Sequence, residues 1–327
     1  MKNQADKIDL TPEERAKIER RSLNLSMWLN AVMGISGIVA ATASRSDALL
    51  VDGLYSAVNF GAAIVAIFVG RSIARAPDRS RPFGYDADEA IYVVFRSLTL
   101  LGIISFAALS ALVKIITYAQ GGDVPELVFG PIVIYMVSMV IICGFLTFWH
   151  RYNWKKAGKQ SDILVTESRA ALVDGVISAG AGGALVSVPL LSGTALEGLI
   201  PIADAIVVLT MVIVIFYQPT STFLAGLSEI AGHSMSAPLY KSAYAIVKKI
   251  ADENKLELID IAATKLGRGH MIVAYVDPGR DVSSEDIDAA NEELTKRAVA
   301  AFTNARTEIV ITKTKRQQRR ITENRAA

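Results

Sequence analysis

Two short segments of this chain carry the residues best placed to do chemistry. The first reads Ala48-Leu49-Leu50-Val51-Asp52-Gly53-Leu54-Tyr55-Ser56, and the second Ala170-Ala171-Leu172-Val173-Asp174-Gly175-Val176-Ile177-Ser178. Each holds the pattern Asp-Gly-x-x-Ser inside an otherwise apolar run. On a helix, positions i and i+4 share a face, so Asp52 points with Ser56 and Asp174 with Ser178. A carboxylate in an apolar span costs roughly 2.5–3.5 kcal/mol on insertion scales, which makes each one a functional candidate. Two carboxylates and two hydroxyls meeting at mid-membrane form an oxygen-rich site suited to a divalent cation. The alternative for either aspartate taken singly is a hydrogen bond to a neighbouring helix. Repetition of the motif favours function.

The elements that position these residues are membrane helices. Hydrophobic residues make up 52% of the 327, and mean hydropathy is +0.37. A span needs about 20 mostly apolar residues. Six stretches qualify, at residues 25–42, 49–69, 91–116, 127–149, 163–191 and 200–216. The two motifs fall in the second and the fifth. They therefore run in opposite directions across the bilayer, the arrangement of an inverted repeat with a substrate site at its interface. The glycine after each aspartate permits close approach of a neighbouring helix.

Orientation follows from the basic residues of the connections. Arg15, Lys17, Arg20 and Arg21 precede the first span. Arg71, Arg75, Arg79 and Arg81 follow the second, and Arg151, Lys155, Lys156 and Lys159 follow the fourth. The other connections hold Arg45 beside Asp47, Asp123, Glu126 and Glu197. Both termini are expected in the cytoplasm, in a multi-pass protein of the cell inner membrane.

The remaining composition narrows the classes. Thirty-four basic residues against 32 acidic give a net charge of +2 and no basis for a nucleic-acid partner. A single cysteine, Cys143, excludes an intrachain disulfide and a thiolate metal cage. No paired-histidine motif, nucleophile elbow or phosphate loop appears, which disfavours an enzyme.

The expected organisation is a cytoplasmic arm over residues 1–21, with a helix start at Thr11-Pro12-Glu13-Glu14, and a six-helix transport domain over 22–226. A C-terminal α/β domain over 235–312 and a basic, disordered tail over 313–327 complete it. In the α/β domain an amphipathic pattern from Ser236 to Glu253 predicts a helix with a serine cap. Strands are predicted at 256–265 and 270–277, joined by Gly267-Arg268-Gly269. A capping-box variant at Ser283 and Asp286 opens a helix to about Phe302, and a last strand covers 307–312. This order resembles a ferredoxin-like unit, with one sheet face open for dimerisation or docking.

The segments Ser46-Asp47-Ala48-Leu49-Leu50-Val51-Asp52-Gly53 and Pro77-Asp78-Arg79-Ser80-Arg81-Pro82-Phe83-Gly84-Tyr85, with Asp204 opening the sixth span, resemble the cation diffusion facilitators. The resemblance runs from about Leu25 to Thr312. It implies a homodimeric, usually proton-coupled exporter of zinc, manganese, iron or related ions such as magnesium or cobalt, with a cytoplasmic metal-sensing domain. It also implies two metal ligands one turn apart on the second helix and two on the fifth. Asp52 matches the first of these and Asp174 the last. Ser56 stands where an aspartate is usual, and Ala170 where a histidine or aspartate is usual. Asp78 matches a ligand of an accessory site whose usual histidines are replaced by Arg81 and Tyr85. Asp260, Tyr275 and Thr312 fall near the sensing positions. The chain has only His150, His233 and His270, so a zinc-sensing domain is poorly supported.

Several polar residues have two readings. Glu167, two turns before Asp174, is an entry ligand or proton carrier, or else pairs with a lysine. Arg96 neutralises Asp52 or Asp174, or snorkels to the cytoplasm with Glu89 as partner, snorkelling or structural pairing being preferred. Asn30 and Asn59 supply amide oxygens or join helices. Tyr55 is expected to point away from the site. Because Ser56 and Ala170 depart from the pattern, a non-transporting dimerisation or regulatory module stands as the alternative function.

Overall fold

The computed structural model describes residues 12–158, 161–302 and 304–314. The arm up to Thr11, Lys159 and the basic tail from Lys315 lie outside the described residues.

Six apolar helices long enough to cross a membrane are present among the described residues. They begin with α1 (Pro12–Ser44), α2 (Asp47–Ile73) and α3 (Ala87–Ala119), followed by α4 (Phe129–Lys156) and α5 (Asp162–Ser187). Two short 3-10 turns lead into α6 (Ala203–Ile215), which is followed at once by α7 (Tyr217–Ile230). The sixth span takes in both, over Glu197–Ile230. It is thus longer than its apolar core, since Pro219 lies in the first turn of α7, where proline removes no helical hydrogen bond. The first helix also begins earlier than its apolar run. Proline suits a first helical position, and no breaker follows it before the span.

The chain divides into two units. The first holds the described residues to Val65 together with Arg96–Thr220. Its core gathers Met33, Leu49, Val51, Ile132, Tyr135, Met139, Leu185 and Val208. Its outer residues are large and apolar (Phe106 67% exposed, Ile134 71%, Ile213 78%), the surface of a protein whose solvent is lipid.

The second unit holds Ala66–Phe95 and the described residues from Ser221 onward. In it α8 (Ala237–Glu253) and α9 (Ser284–Ala301) pack on a sheet of β1 (Glu257–Leu266), β2 (Gly269–Asp277) and β3 (Ala305–Ile311). The sheet order is β1-β2-β3, with the first pair antiparallel and the second parallel. Val247, Ile250, Ile272, Val276 and Leu294 fill the space between helices and sheet. Ser283 caps α9 as the sequence predicts, accepting from the Asp286 amide at 3.1 Å. Ser236 holds the cap position of α8, but its side chain accepts no amide there.

Candidate metal site in the helix bundle

The site is built where four helices converge in the first unit. At the crossing of α1 and α2 both helices present glycine. A Cβ added to Gly37 would lie 2.4 Å from the Gly53 Cα, and one added to Gly53 would lie 2.8 Å from the Gly37 carbonyl carbon. Only hydrogen fits at either position. The second motif glycine does the same for α4 and α5, since a Cβ on Gly175 would stand 2.8 Å from the Cys143 Cβ. Each glycine beside a motif aspartate therefore brings a neighbouring helix up to the site.

That close packing sets the surroundings of Asp52. The Tyr135 hydroxyl of α4 donates to its Oδ2 at 2.8 Å. The Ser178 hydroxyl of α5 lies 3.2 Å from Oδ1 and 3.1 Å from Oδ2. A carboxylate on α2 is thus held by hydroxyls from two other helices. Asp174 accepts no hydrogen bond among the described residues, and it lies within electrostatic reach of Asp52 and Glu167. Ser56 is buried one turn along α2 and makes no side-chain hydrogen bond among the described residues. The two motifs therefore meet asymmetrically: the serine of the second serves the aspartate of the first, without a reciprocal bond.

Around this centre the structure sorts the remaining polar residues. Arg96 of α3 donates to the Asn59 Oδ1 at 2.9 Å and lies within electrostatic reach of Glu167. It does not pair with Glu89, whose carboxylate is engaged by Arg268 at 2.7 Å. Asn59 does join two helices, whereas Asn30 bonds the Ser26 carbonyl of its own helix at 2.9 Å. Tyr55 lies within electrostatic reach of Asp174 and Arg96 and makes no hydrogen bond to either among the described residues.

The sequence reading passed over two residues, Tyr135 and Lys114. The phenol in an apolar span was the available signal for the first, and the lone lysine of α3 for the second. Lys114 Nζ lies 3.3 Å from Oδ2 of Asp204, whose side chain is fully buried. Asp204 also accepts from the Ser46 hydroxyl at 2.6 Å and from the Asp47 and Ala48 amides at 2.9 and 3.3 Å. It thus caps the helix that carries Asp52, taking up amides that a bilayer could not satisfy.

In the second unit Asp78 sits in the turn after α2. Its Oδ1 accepts from the Ser80 hydroxyl at 2.6 Å and from the Ser80 and Arg81 amides at 2.8 and 2.9 Å, and its Oδ2 from the Tyr85 hydroxyl at 2.6 Å. These bonds, the Ser80 hydroxyl foremost, hold its carboxyl well below the usual aspartate range. Asp260 and Tyr275 face each other across β1 and β2, and Thr312 donates its amide to the Val276 carbonyl at 2.8 Å. Among the described residues, no three His, Cys, Asp or Glu side chains cluster in a way that could hold a metal. Any ion at Asp52 and Asp174 would therefore rely on hydroxyls and water for the rest of its shell.

Comparison with known proteins places this geometry in a family. The manganese efflux system protein MneP of Bacillus subtilis (strain 168) is 22% identical over 148 residues, 45% of this chain and 46% of the relative. The chain thus spans about half the length of that curated relative. The family model of the cation efflux transmembrane domain matches residues 23–231, which include both motifs, Asp204 and Lys114. The chain belongs to the cation efflux family, the cation diffusion facilitators.

Proposed function

We propose that this protein carries a divalent metal cation across the membrane in exchange for protons, at a site formed by Asp52 and Asp174 with Ser178 and Ser56. The observation that carries the reading is the meeting of the two motifs, with Asp52 of α2 bound to Ser178 of α5 at 3.1 Å and Asp174 within electrostatic reach. Without cargo, the hydroxyl hydrogens of Ser178 and Tyr135 satisfy Asp52. A serine hydroxyl can turn a lone pair toward an arriving cation while the tyrosine continues to orient the carboxylate. Protons compete for the same two carboxylates and drive release, with alternating access carrying the site from one face to the other.

The donor set is all oxygen. Without thiolate or imidazole it favours harder ions such as manganese, magnesium or ferrous iron over zinc. The manganese named for the B. subtilis relative agrees with this. Glu167 and Arg96 form a further charged layer, with Glu167 as entry ligand or proton carrier. The connections rich in arginine and lysine support a cytoplasmic location for both termini, and the open sheet face supports a homodimer.

One observation favours a second reading, a non-transporting regulatory module: no three metal-binding side chains converge among the described residues. Uptake into proteoliposomes across manganese, iron, magnesium, cobalt and zinc under an imposed pH gradient separates the two. Gradient-driven flux of one or more of the harder ions, lost in Asp174→Ala, is the expected result. Movement of zinc alone would defeat the ion assignment. No flux of any metal from folded protein would favour the module.

A further inference from the structure

The geometry points to a guanidinium-lined binding site for the phosphate headgroups of anionic lipids, on the segment running from the end of α2 to the start of α3. This inference rests on α2 spanning the bilayer and is independent of the transport reading. Four arginines, Arg71, Arg75, Arg79 and Arg81, stand within or just after the last turn of α2, and no lysine lies among them. All four are exposed.

Four carboxylates lie close in sequence, and each is already hydrogen-bonded or ion-paired, Glu89 with Arg268. Asp78 is taken up by Ser80, Tyr85 and the Arg81 amide. Asp86 accepts from the Asn304 amide at 2.9 Å and lies 3.6 Å from Arg306. Asp88 holds the Ser72 hydroxyl at 2.5 Å and forms an ion pair with Arg81. Arg71 and Arg79 thus form no ion pair with a carboxylate among the described residues, and Arg75 has only the longer-range attraction of Asp88, which Arg81 already pairs. Arg71 lies over the Phe68 ring at 5.9 Å, and Arg75 shares the Tyr85 ring with Arg81 at 5.9 and 4.7 Å. Stacking of this kind fixes the guanidinium plane while leaving its N–H donors available. Phe83, between these arginines and α3, is 68% exposed, and Phe68 is 61% exposed. Planar cations beside exposed aromatic rings at the end of a spanning helix match the phosphate and glycerol depth of a leaflet. Charge alone would serve to set topology, and lysine would do that equally well. The guanidinium fork adds paired hydrogen bonds to phosphate oxygens.

The test is thermal unfolding of the full-length, delipidated protein titrated with phosphatidylglycerol, phosphatidylcholine or inorganic phosphate. Phosphatidylglycerol is expected to stabilise saturably, and the other two are not. Replacing Arg71, Arg75 and Arg79 together by Gln should weaken phosphatidylglycerol binding roughly fivefold per guanidinium, about 1 kcal/mol each. The corresponding triple Lys variant keeps the charge that sets topology and is expected to bind several-fold more weakly than wild type. It decides the matter if the Gln variant does not fold. Equal stabilisation by both lipids, equal response to free phosphate, or wild-type affinity in either variant would overturn the assignment.

Discussion

Ser178 on the fifth spanning helix lies 3.2 and 3.1 Å from the two carboxylate oxygens of Asp52 on the second, so one hydroxyl joins the two motif-bearing helices. Ser178→Ala removes both this link and one oxygen of the proposed cation shell. Hydrogen bonds to charged groups are worth about 1.5–3 kcal/mol in water-soluble proteins, and those within membranes average about 0.6. A stability loss of about 1 kcal/mol is therefore expected in detergent unfolding. Tyr135→Phe should cost a similar amount, yet leave more metal flux than Ser178→Ala, since the phenol orients Asp52 without lining the ion. Equal flux losses would contradict that division of roles.

The α1–α2 crossing gives a sharper steric prediction. A methyl group on Gly37 meets the Gly53 Cα at 2.4 Å and the Tyr135 hydroxyl at 2.9 Å. Gly37→Ala should destabilise by about 1–3 kcal/mol as the helices are forced apart, and should displace Tyr135 from Asp52. Gly102→Ala, where nothing lies within 4 Å of the added Cβ, should be neutral or slightly stabilising. Comparing the two by thermal unfolding checks both. Similar melting temperatures for the two variants would refute the packing account.

Asp204 is fully buried and serves Lys114, Ser46 and the first amides of α2 together. Breaking a buried pair by removing one partner costs about 3–5 kcal/mol, because it strands the other charge. Lys114→Met is expected in that range. Asp204→Asn should be milder than Asp204→Ala, since the amide oxygen can still cap α2. Removing Lys114 and Asp204 together should cost less than the sum of the single changes, a coupling that a double-mutant cycle measures directly. Additive losses would mean the pair does not act as a unit.

The turn at Asp78 has a predictable response to acid. Its carboxyl is held below the usual aspartate range, first by the Ser80 hydroxyl and then by Tyr85. A depressed pKa means that the stabilisation is fully present above the unfolded value, near 3.9, and fades as pH falls through the lower folded value. Protection of the Ser80 and Arg81 amides, corrected for intrinsic exchange, should therefore persist down to about pH 4 and decline only below it. Ser80→Ala should shift that decline upward. Loss of protection near neutral pH would show that Asp78 does not order the turn.

Much of this architecture was legible because a bilayer imposes strong rules. Apolar length located the six spans, and alternation with a glycine turn located β1 and β2. The start of α1 at Pro12 was legible from Thr11-Pro12-Glu13-Glu14, whereas the end of the sixth span was not. The sixth span runs on past Pro219, which reads as a boundary in sequence but is harmless in the first turn of α7. At the candidate site, repetition singled out Asp52 and Asp174. The partners Tyr135 and Lys114 lie 83 and 90 positions from the aspartates they serve, a separation no local pattern encodes. Arg96 showed its charge in sequence but not its partner, the Asn59 amide oxygen, which lies 37 positions away.

The central claim, that Asp52 and Asp174 exchange a divalent cation for protons, is tested most directly by the lumenal pH of proteoliposomes when manganese is added outside. Manganese is expected to enter, protons to leave and the lumen to turn alkaline, with both signals lost in Asp174→Asn. Manganese entry with no change in lumenal pH, or transport by Asp174→Asn equal to wild type, would contradict it.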